Sequence, residues 1–427
     1  MKMVGYFHSF LIFSLLPSLV ITLSTSAITS SKMKDFFRIR TITAFIRLSS
    51  DDFNEDTEES SLSGISTLKQ KIQRCSVFLS SLQETFVESG YTVQTLRIST
   101  NAFGEYLLDD DGGISAMENR LSQLDLALEE CGISFCSLGP AKTVDEIRNC
   151  CSRIISSSPR LACSANVNAN DIDASKAAAE CVLSISAATV PEFLQGGMGN
   201  FRFCSATCCP GNIPFYPVSY SSQENDSFAL GLENGALAHV LLSQSGSISN
   251  ISKIFSDGMT AALQPLQKIC EDEEQKSSSF KFLGIDTSLN PSLDEGGSVA
   301  AAIESLEEVC GDFGGTGTLA AAAAITTALQ SLPSIKTTGY CGLMLPVCED
   351  QRLAALTNMR VTNFLSISSV CGVGIDTVPI AASTNNQNLQ ALMLDVAALA
   401  TRWNKPLSCR VFPVGNAGEM TQFDSPY

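Results

Sequence analysis

Phe37-Arg38-Ile39-Arg40-Thr41-Ile42-Thr43-Ala44-Phe45-Ile46 alternates apolar with polar side chains, the period-two signature of a β-strand. Apolar residues at helical spacing follow from Leu68 to Val87. After them come a strand-like Tyr91–Ile98, the turn Asp109-Asp110-Asp111-Gly112-Gly113 and a helix through Leu128. The alternation continues with strands near Ile133–Cys136 and Leu161–Val167 and helices near Val144–Ile155 and Ala174–Leu183. In the second half, strand candidates lie at Phe201–Ala206, Phe228–Leu232, Phe280–Ile285, Thr337–Leu345, Val370–Ile375 and Leu407–Val411. Helices are expected near Ile251–Ile269, Val299–Val309, Leu319–Leu329, Arg352–Leu356 and Leu389–Trp403. Strands alternating with helices over the whole length predict an α/β fold with a mostly parallel sheet. The acidic or Ser-rich stretches Asp51–Ser61 and Glu271–Ser279 read as surface loops rather than domain boundaries, so residues 33–427 form one large domain.

The chain has 427 residues, 44% hydrophobic and 17% charged, with a net charge of −17. That is too apolar for a disordered chain. The negative balance, without a Lys/Arg-rich run or basic–aromatic interleaving, argues against nucleic acid as a partner. Residues 1–32 differ from the rest. They carry one Lys (Lys2) and no acid over 1–31, an apolar run Phe10–Leu23 interrupted by Pro17, and the small residues Thr25-Ser26-Ala27 that a signal peptidase prefers. The run is short for a stable membrane span, which needs ~20 apolar residues. It reads as a signal peptide and points to the secretory pathway; were Met33 the true start, the protein would be cytoplasmic. The compartment stays open. The 16 cysteines are scattered, and many (Cys75, Cys163, Cys181, Cys341, Cys371) sit in apolar segments, as small buried hydrophobes rather than a disulfide framework.

Histidine is nearly absent. His8 lies in the leader and His239 between Ala238 and Val240 in a helix-like stretch, which leaves little for Ser-His-Asp, Cys-His or His-rich zinc chemistry. Cys204, Cys208 and Cys209 cluster where a strand candidate enters a Pro/Gly turn. Cys208 and Cys209 are candidates for a reactive or redox thiol, against a default of packing thiols. Two Gly-rich loops stand out: Gly196-Gly197-Met198-Gly199-Asn200, and Gly311-Asp312-Phe313 followed by Gly314, Gly315, Thr316, Gly317 and Thr318 at a helix start. The latter is a candidate anion site or else a tight packing turn, and it fits neither a P-loop nor a dinucleotide fingerprint. Asp286, Asp294, Glu349, Asp350 and Asp376 all sit at or just after strand candidates. There a carboxylate serves acid–base chemistry, holds a hard cation, or caps the next turn. No particular metal or cofactor is specified by this pattern. Asp286 and Asp376 share a four-residue context, Gly284-Ile285-Asp286-Thr287 and Gly374-Ile375-Asp376-Thr377, which raises the expectation of two aspartates in one pocket.

Several long segments carry a resemblance. They are 284–294 (GIDTSLNPSLD), 313–318 (FGGTGT), 339–350 (GYCGLMLPVCED) and 371–379 (CGVGIDTVP), together with Phe201-Arg202-Phe203, Pro214-Phe215-Tyr216-Pro217 and Ile39-Arg40-Thr41-Ile42-Thr43. On these the chain resembles the DUF711 (UPF0210) family from Phe36 to about Gly418. The resemblance implies a closed α/β barrel of ten strands, like that of pyruvate formate-lyase and other glycyl radical enzymes, and a homodimer. It supplies no activity. Radical catalysis is not the leading expectation, because the C-terminus reads Arg410-Val411-Phe412-Pro413-Val414-Gly415-Asn416, with the glycine displaced and no Tyr after it.

Three functions are therefore carried forward. The first is a non-radical enzyme acting on a small anionic metabolite at the mouth of the barrel, with Asp286, Glu349, Asp350 and Asp376 as acid–base or metal-binding candidates. In that reading the Gly314–Thr318 loop holds an anionic group and Arg202 clamps it. The second is a non-catalytic homodimeric binding or regulatory protein. The third is a thiol redox or radical protein using Cys208, Cys209 or Cys371.

Overall fold

The computed structural model describes residues 33–54, 66–108, 113–189, 198–277 and 279–414. The leader, residues 55–61 of the acidic linker, residues 109–112 of the acidic turn, Gly196-Gly197 and Gly415-Asn416 lie outside the described residues.

Nine of the ten strand candidates become strands: β1 (Arg38–Phe45), β2 (Val93–Ser99), β3 (Phe135–Ala141), β4 (Leu161–Asn166), β5 (Phe203–Thr207), β6 (Ser227–Glu233), β7 (Lys281–Asp286), β8 (Gly374–Ile380) and β9 (Leu407–Pro413). They form one sheet in the order β7-β6-β1-β2-β3-β4-β5-β9-β8. Six of its pairings are parallel, while β1–β6 and β5–β9 are antiparallel. The helices are α1 (Thr67–Glu88), α2 (Gly113–Glu130), α3 (Ser152–Ser157), α4 (Ile172–Ala188), α5 (Gly235–Ser245), α6 (Ile251–Ser277), α7 (Val299–Glu304), α8 (Thr318–Gln330), α9 (Gln351–Ala355), α10 (Val361–Ser368) and α11 (Asn386–Trp403).

The helices form where local chemistry asks for them. In α1, the Ser66 hydroxyl accepts from the Lys69 amide at the N-cap, and Leu68, Ile72, Cys75, Leu79, Leu82 and Phe86 make one buried stripe. Each large apolar side chain in that stripe contributes roughly 1.5–3 kcal/mol of burial before entropy is charged against it. Two expectations shift. Most of Glu271–Ser279 is the last part of α6 rather than a linker, held by Lys268–Asp272 and Glu273–Lys276 pairs along the helix. The strand expected at Val370–Ile375 starts later, at Gly374, because α10 runs to Ser368 and the Ser369, Val370 and Cys371 amides still bond back to its last turn.

The sheet curls strongly. Six inter-strand steps separate β1 from β8, about 29 Å in a flat sheet. Yet Arg40 of β1 and Asp376 of β8 line the same cavity. Among the described residues the ladder nevertheless has two edges, β7 and β8, so this nine-stranded sheet is not closed as the expected ten-stranded barrel would be. The missing strand is Thr337–Leu345, which makes only two isolated bridges, Thr337 to Ile285 and Leu343 to Leu289. The reason is local. The Tyr340 and Cys341 amides donate to the Asp286 carboxylate at 2.8 and 3.1 Å, the Gly342 amide to the Ser288 hydroxyl, and the Leu343 amide to the Cys371 sulfur. Four successive N–H groups are spent on side chains, and none remains there for a ladder.

Candidate functional site

A cavity of about 320 Å³ opens on the concave side of the sheet. Its floor is the inward face of the strands: Arg40 on β1, Thr95 and Arg97 on β2, Phe135 on β3, Ala162 on β4, Asp376 on β8, and Ser408 and Arg410 on β9. Its cover is the 208–222 loop, whose tip residues Phe215, Tyr216, Pro217 and Val218 face the strands. The loop is tied inward by hydroxyls. Thr43 donates to the Pro214 carbonyl at 2.8 Å, Ser137 to the Ser219 carbonyl at 2.7 Å, and Ser99 pairs with the Ser219 hydroxyl at 2.6 Å.

Two of the charged positions owe their aim to β-bulges. Across β1–β6 the register slips between Ile39 and Thr41, leaving Arg40 as the extra residue. Across β8–β9 it slips between Ile375 and Val378, so that Asp376 and Thr377 share one step opposite Arg410. A bulge re-aims a side chain without breaking the sheet, which is how a charge can be turned toward an interior.

Five arginines line the cavity against two carboxylates, an inversion of the chain's overall acidity. Most of that positive charge is already committed. Arg410 donates through Nε to Asp376 at 2.8 Å, and Arg160 is paired with Asp125 and Glu129. Arg202 donates to the carbonyls of Ile155, Ser158 and Leu161 at 2.7, 2.6 and 3.1 Å, so this expected clamp works on the end of α3. Arg40 reaches Glu233 and Glu349 at 3.4 and 3.3 Å. Arg97 differs from all of these. Its Nε donates to the Thr95 hydroxyl at 3.0 Å, its plane lies over Tyr216 and Phe135 at 5.0 and 5.5 Å, and among the described residues it meets no carboxylate. Burial, together with the nearby Arg40 and Arg410, brings its pKa down to about 10, still charged at neutral pH.

Glu349 stands on the short turn closed by its own amide to the Pro346 carbonyl. Burial raises its pKa above the ordinary glutamate value, while Arg410 and Arg40 pull the other way. Burial also works against the charge of Arg410, but Asp376 and Glu349 outweigh it and hold that guanidinium more firmly protonated than usual. Tyr340 completes this wall. Its hydroxyl bonds to the Ser408 hydroxyl at 3.1 Å, and burial keeps the phenol well above its ordinary pKa.

The candidates read from sequence thus separate. Glu349 and Asp376 face the cavity, and Arg202 stands in its wall. Asp286 does not line it: both carboxylate oxygens are taken up by Ser288 N, Ser288 Oγ, Tyr340 N and Cys341 N. Asp350 is likewise elsewhere, fully buried. It caps α9 through the Arg352 and Leu353 amides and receives Ser298 Oγ and the Val299 and Ala300 amides from the start of α7. The loop holding Gly314, Gly315, Thr316, Gly317 and Thr318 closes on itself: Cys310 N donates to Thr316 O and Gly314 N to the Thr318 hydroxyl. Its Phe313 amide is already taken by the carboxylate of Glu304.

Cys208 and Cys209 sit at the base of the covering loop rather than its tip. Cys208 is exposed. Burial pushes Cys209 up to about 12, so it is a thiol at neutral pH. All sixteen cysteines are free, and twelve are buried. Among the described residues no cluster of His, Cys, Asp and Glu has the geometry of a metal site, and no helix is long and apolar enough to cross a membrane.

Arg40, Arg97, Arg160, Arg410, Tyr216 and Tyr340 were not singled out from sequence as ligand-facing groups. The available signal was a pair of strand positions, Thr95/Arg97 and Ser408/Arg410, that put a cation two residues from a hydroxyl on one face.

The chain is similar in sequence to other proteins. A UPF0210 protein of Pyrobaculum islandicum is 25% identical over 356 residues, covering 77% of this chain and 75% of its own. One of Pyrobaculum arsenaticum is 27% identical over 233 residues, 51% of this chain and 50% of its own. One of Campylobacter concisus is 30% identical over 151 residues, 34% and 33%. The chain thus spans about half or less of the length of these last two relatives. A family described as "Uncharacterised ACR (DUF711)" matches residues 32–424, nearly the whole chain, and the chain belongs to that family.

Proposed function

We propose that the protein binds a small organic anion in the interior cavity and acts on it by proton transfer, without a radical. The observation that carries this reading is Arg97, a guanidinium facing an aromatic-walled cavity with no carboxylate in contact with it among the described residues, Glu349 acting on it only from a distance. A half-buried cation without a contact partner is held at some cost, and a ligand anion would remove that cost. In this reading Arg97 anchors the anion, and Phe135, Tyr216, Phe215 and Met344 cover its body. Glu349, whose raised pKa suits an acid–base group, gives or takes the proton. Asp376 and Arg410 fix the local charge, and Tyr340 offers a hydroxyl. Asp286 and Asp350 have no part in the chemistry.

The thiol alternative has less support, because the loop tip that meets the cavity carries Phe215 to Val218 and not Cys208 or Cys209. The curl of the sheet, with segment 337–345 beside the β7 edge, supports an enclosure of the pyruvate formate-lyase kind, and the homodimer belongs to the same reading.

Native mass spectrometry of the purified protein tests the binding half. The wild type should release an organic anion on denaturation, and Arg97→Met should not. A wild type that retains nothing, and whose melting temperature no small carboxylate or phosphate raises, would sink the reading. The proton-transfer half is tested by NMR in D2O: the wild type should exchange a C–H of the released acid, and Glu349→Gln should not. Equal behaviour of the two would favour a non-catalytic binding protein.

A further inference from the structure

We infer that the anion is a singly charged carboxylate with an apolar body, rather than a phosphate ester or a dicarboxylate. This rests on the proposed anion-binding reading and adds a charge count to it. Of the five arginines around the cavity, Arg410 is matched by Asp376 and Arg160 by Asp125 and Glu129, while Arg202 has its hydrogen bonds taken by three backbone carbonyls, which hold it in the wall without cancelling its charge. Arg40 is shared between Glu233 and Glu349, and the neighbouring Arg38 between Glu233 and Asp294. That network holds three carboxylates to two guanidiniums. Among the described arginines of the cavity, Arg97 is the one whose terminal nitrogens meet neither a carboxylate nor a carbonyl, and Glu349 acts on it only from beyond contact.

One such charge neutralises one anionic charge. A dianion would bring a second negative charge that no free guanidinium fork receives, with the carboxylates of Glu349 and Asp376 facing it. Like charges brought together in a desolvated site cost several kcal/mol. Recruiting Arg410 or Arg40 would break Arg410–Asp376 or Arg40–Glu349 and strand a largely desolvated carboxylate, and recruiting Arg202 would free the carbonyls it holds at the end of α3.

Geometry agrees with the count. With Nε bound to Thr95, the end of the Arg97 guanidinium, its two terminal nitrogens, is left for the ligand. A planar carboxylate takes that fork in two parallel hydrogen bonds. The apolar part of the lining is Phe135, Phe215, Val218 and Met344 with the ring of Tyr216, which suits a ring or a branched chain.

The experiment compares probes of one body and different charge by isothermal titration calorimetry on the full chain: benzoate, phenyl phosphate and phthalate, at a pH where the last two are dianions. Benzoate should bind the wild type at least about tenfold more tightly than either dianion. Phenyl phosphate or phthalate binding as tightly as benzoate, in an Arg97-dependent manner, would overturn the inference while leaving the anion-binding reading intact. Binding of none of the three, and of no other small anion, would instead sink that reading.

Two variants separate charge from architecture. Arg97→Lys keeps the charge but loses the fork, and should weaken benzoate more than it weakens phenyl phosphate. Glu349→Gln raises the cavity charge by one and should narrow the preference for benzoate. An unchanged preference in a folded Glu349→Gln protein would also count against the charge count. Arg97→Met removes a half-buried cation that no carboxylate contacts, so its melting temperature should hold or rise while benzoate binding is lost; restored benzoate binding in that variant would overturn the assignment.

Discussion

Gly284-Ile285-Asp286-Thr287 and Gly374-Ile375-Asp376-Thr377 are the same four residues put to different ends. What they share is the glycine. Gly284 has φ +136° and Gly374 φ +102°. A Cβ there would lie 2.5 Å from the Lys336 carbonyl oxygen in the first case and 2.1 Å from that of Ser408 in the second. In both, a neighbouring backbone crosses too close for a side chain, at a place where the register slips. What they do not share is the environment of the aspartate. Asp286 is fully buried and saturated by two hydroxyl or amide donors from Ser288 and two amides from the 340–341 segment. Asp376 meets a single guanidinium at the edge of a cavity. A carboxylate whose lone pairs are filled by backbone N–H groups is part of the architecture. One whose partner is a side chain facing open space can take part in binding. A repeated sequence therefore repeats a backbone shape here, and the chemistry is decided by the neighbours.

The largest way to break this contrast is to remove each carboxylate in turn. Asp286→Ala would strand the Tyr340 and Cys341 amides in a dry interior, at a cost of about 3–5 kcal/mol, and so lower the urea midpoint substantially. A loss below about 1 kcal/mol would mean that the 337–345 segment does not depend on Asp286, and the contrast would fail. Asp376→Ala should cost less, about 1–3 kcal/mol, because water in the cavity can take over part of the hydrogen bonding to Arg410. Its signature lies elsewhere. With Arg410 released, phenyl phosphate should gain affinity relative to benzoate, whereas the folded fraction of Asp286→Ala should keep the wild-type preference. Calorimetry with these two probes on both variants checks it, and equal preferences in the two would erase the distinction.

The same contrast explains what could be read from the sequence. Strand and helix order was legible because each strand is a short alternating or apolar run and each helix an apolar stripe, and those are local properties. The tenth strand was misread for a non-local reason. Thr337–Leu345 has the residue types of a strand, but its amides are claimed by Asp286, Ser288 and Cys371, which lie far away in the chain. The cavity arginines were passed over for a related reason. In an alternating strand the polar face is ordinarily taken as the solvent face. In a sheet that curls with helices outside, the polar face of β2 and β9 is the concave one, so Arg97 and Arg410 point inward. Nothing in either strand alone announces the curl. Glu349 and Asp376 were legible because they stand in long motifs, but which of the five candidate carboxylates would face open space depended on hydrogen bonds made across the chain.

The smallest expected effect, and the sharpest probe of Glu349 itself, is on the pH dependence of stability. In the unfolded chain this carboxyl titrates at its ordinary value near 4.5. In the fold, burial raises that value, and Arg410 and Arg40 offset the rise only in part. Between the two values the folded protein holds more proton than the unfolded one, so stability is greatest below the window and falls as pH rises through it. Asp286, also raised by burial, contributes a fall of the same sign, starting from its lower ordinary value near 3.8. The slope from either group cannot exceed about 1.4 kcal/mol per pH unit. Glu349→Gln has no proton to lose at that position, so its urea midpoint relative to wild type should climb as pH rises through the window and then level off. Asp286 remains in both proteins and cancels from the difference. A difference that stays flat with pH would place Glu349 outside the low-dielectric site, and one that declines would mean that the arginines, not burial, set its proton affinity. Either result would remove Glu349 as the acid–base group and leave Asp376 as the cavity's only carboxylate with a claim to chemistry.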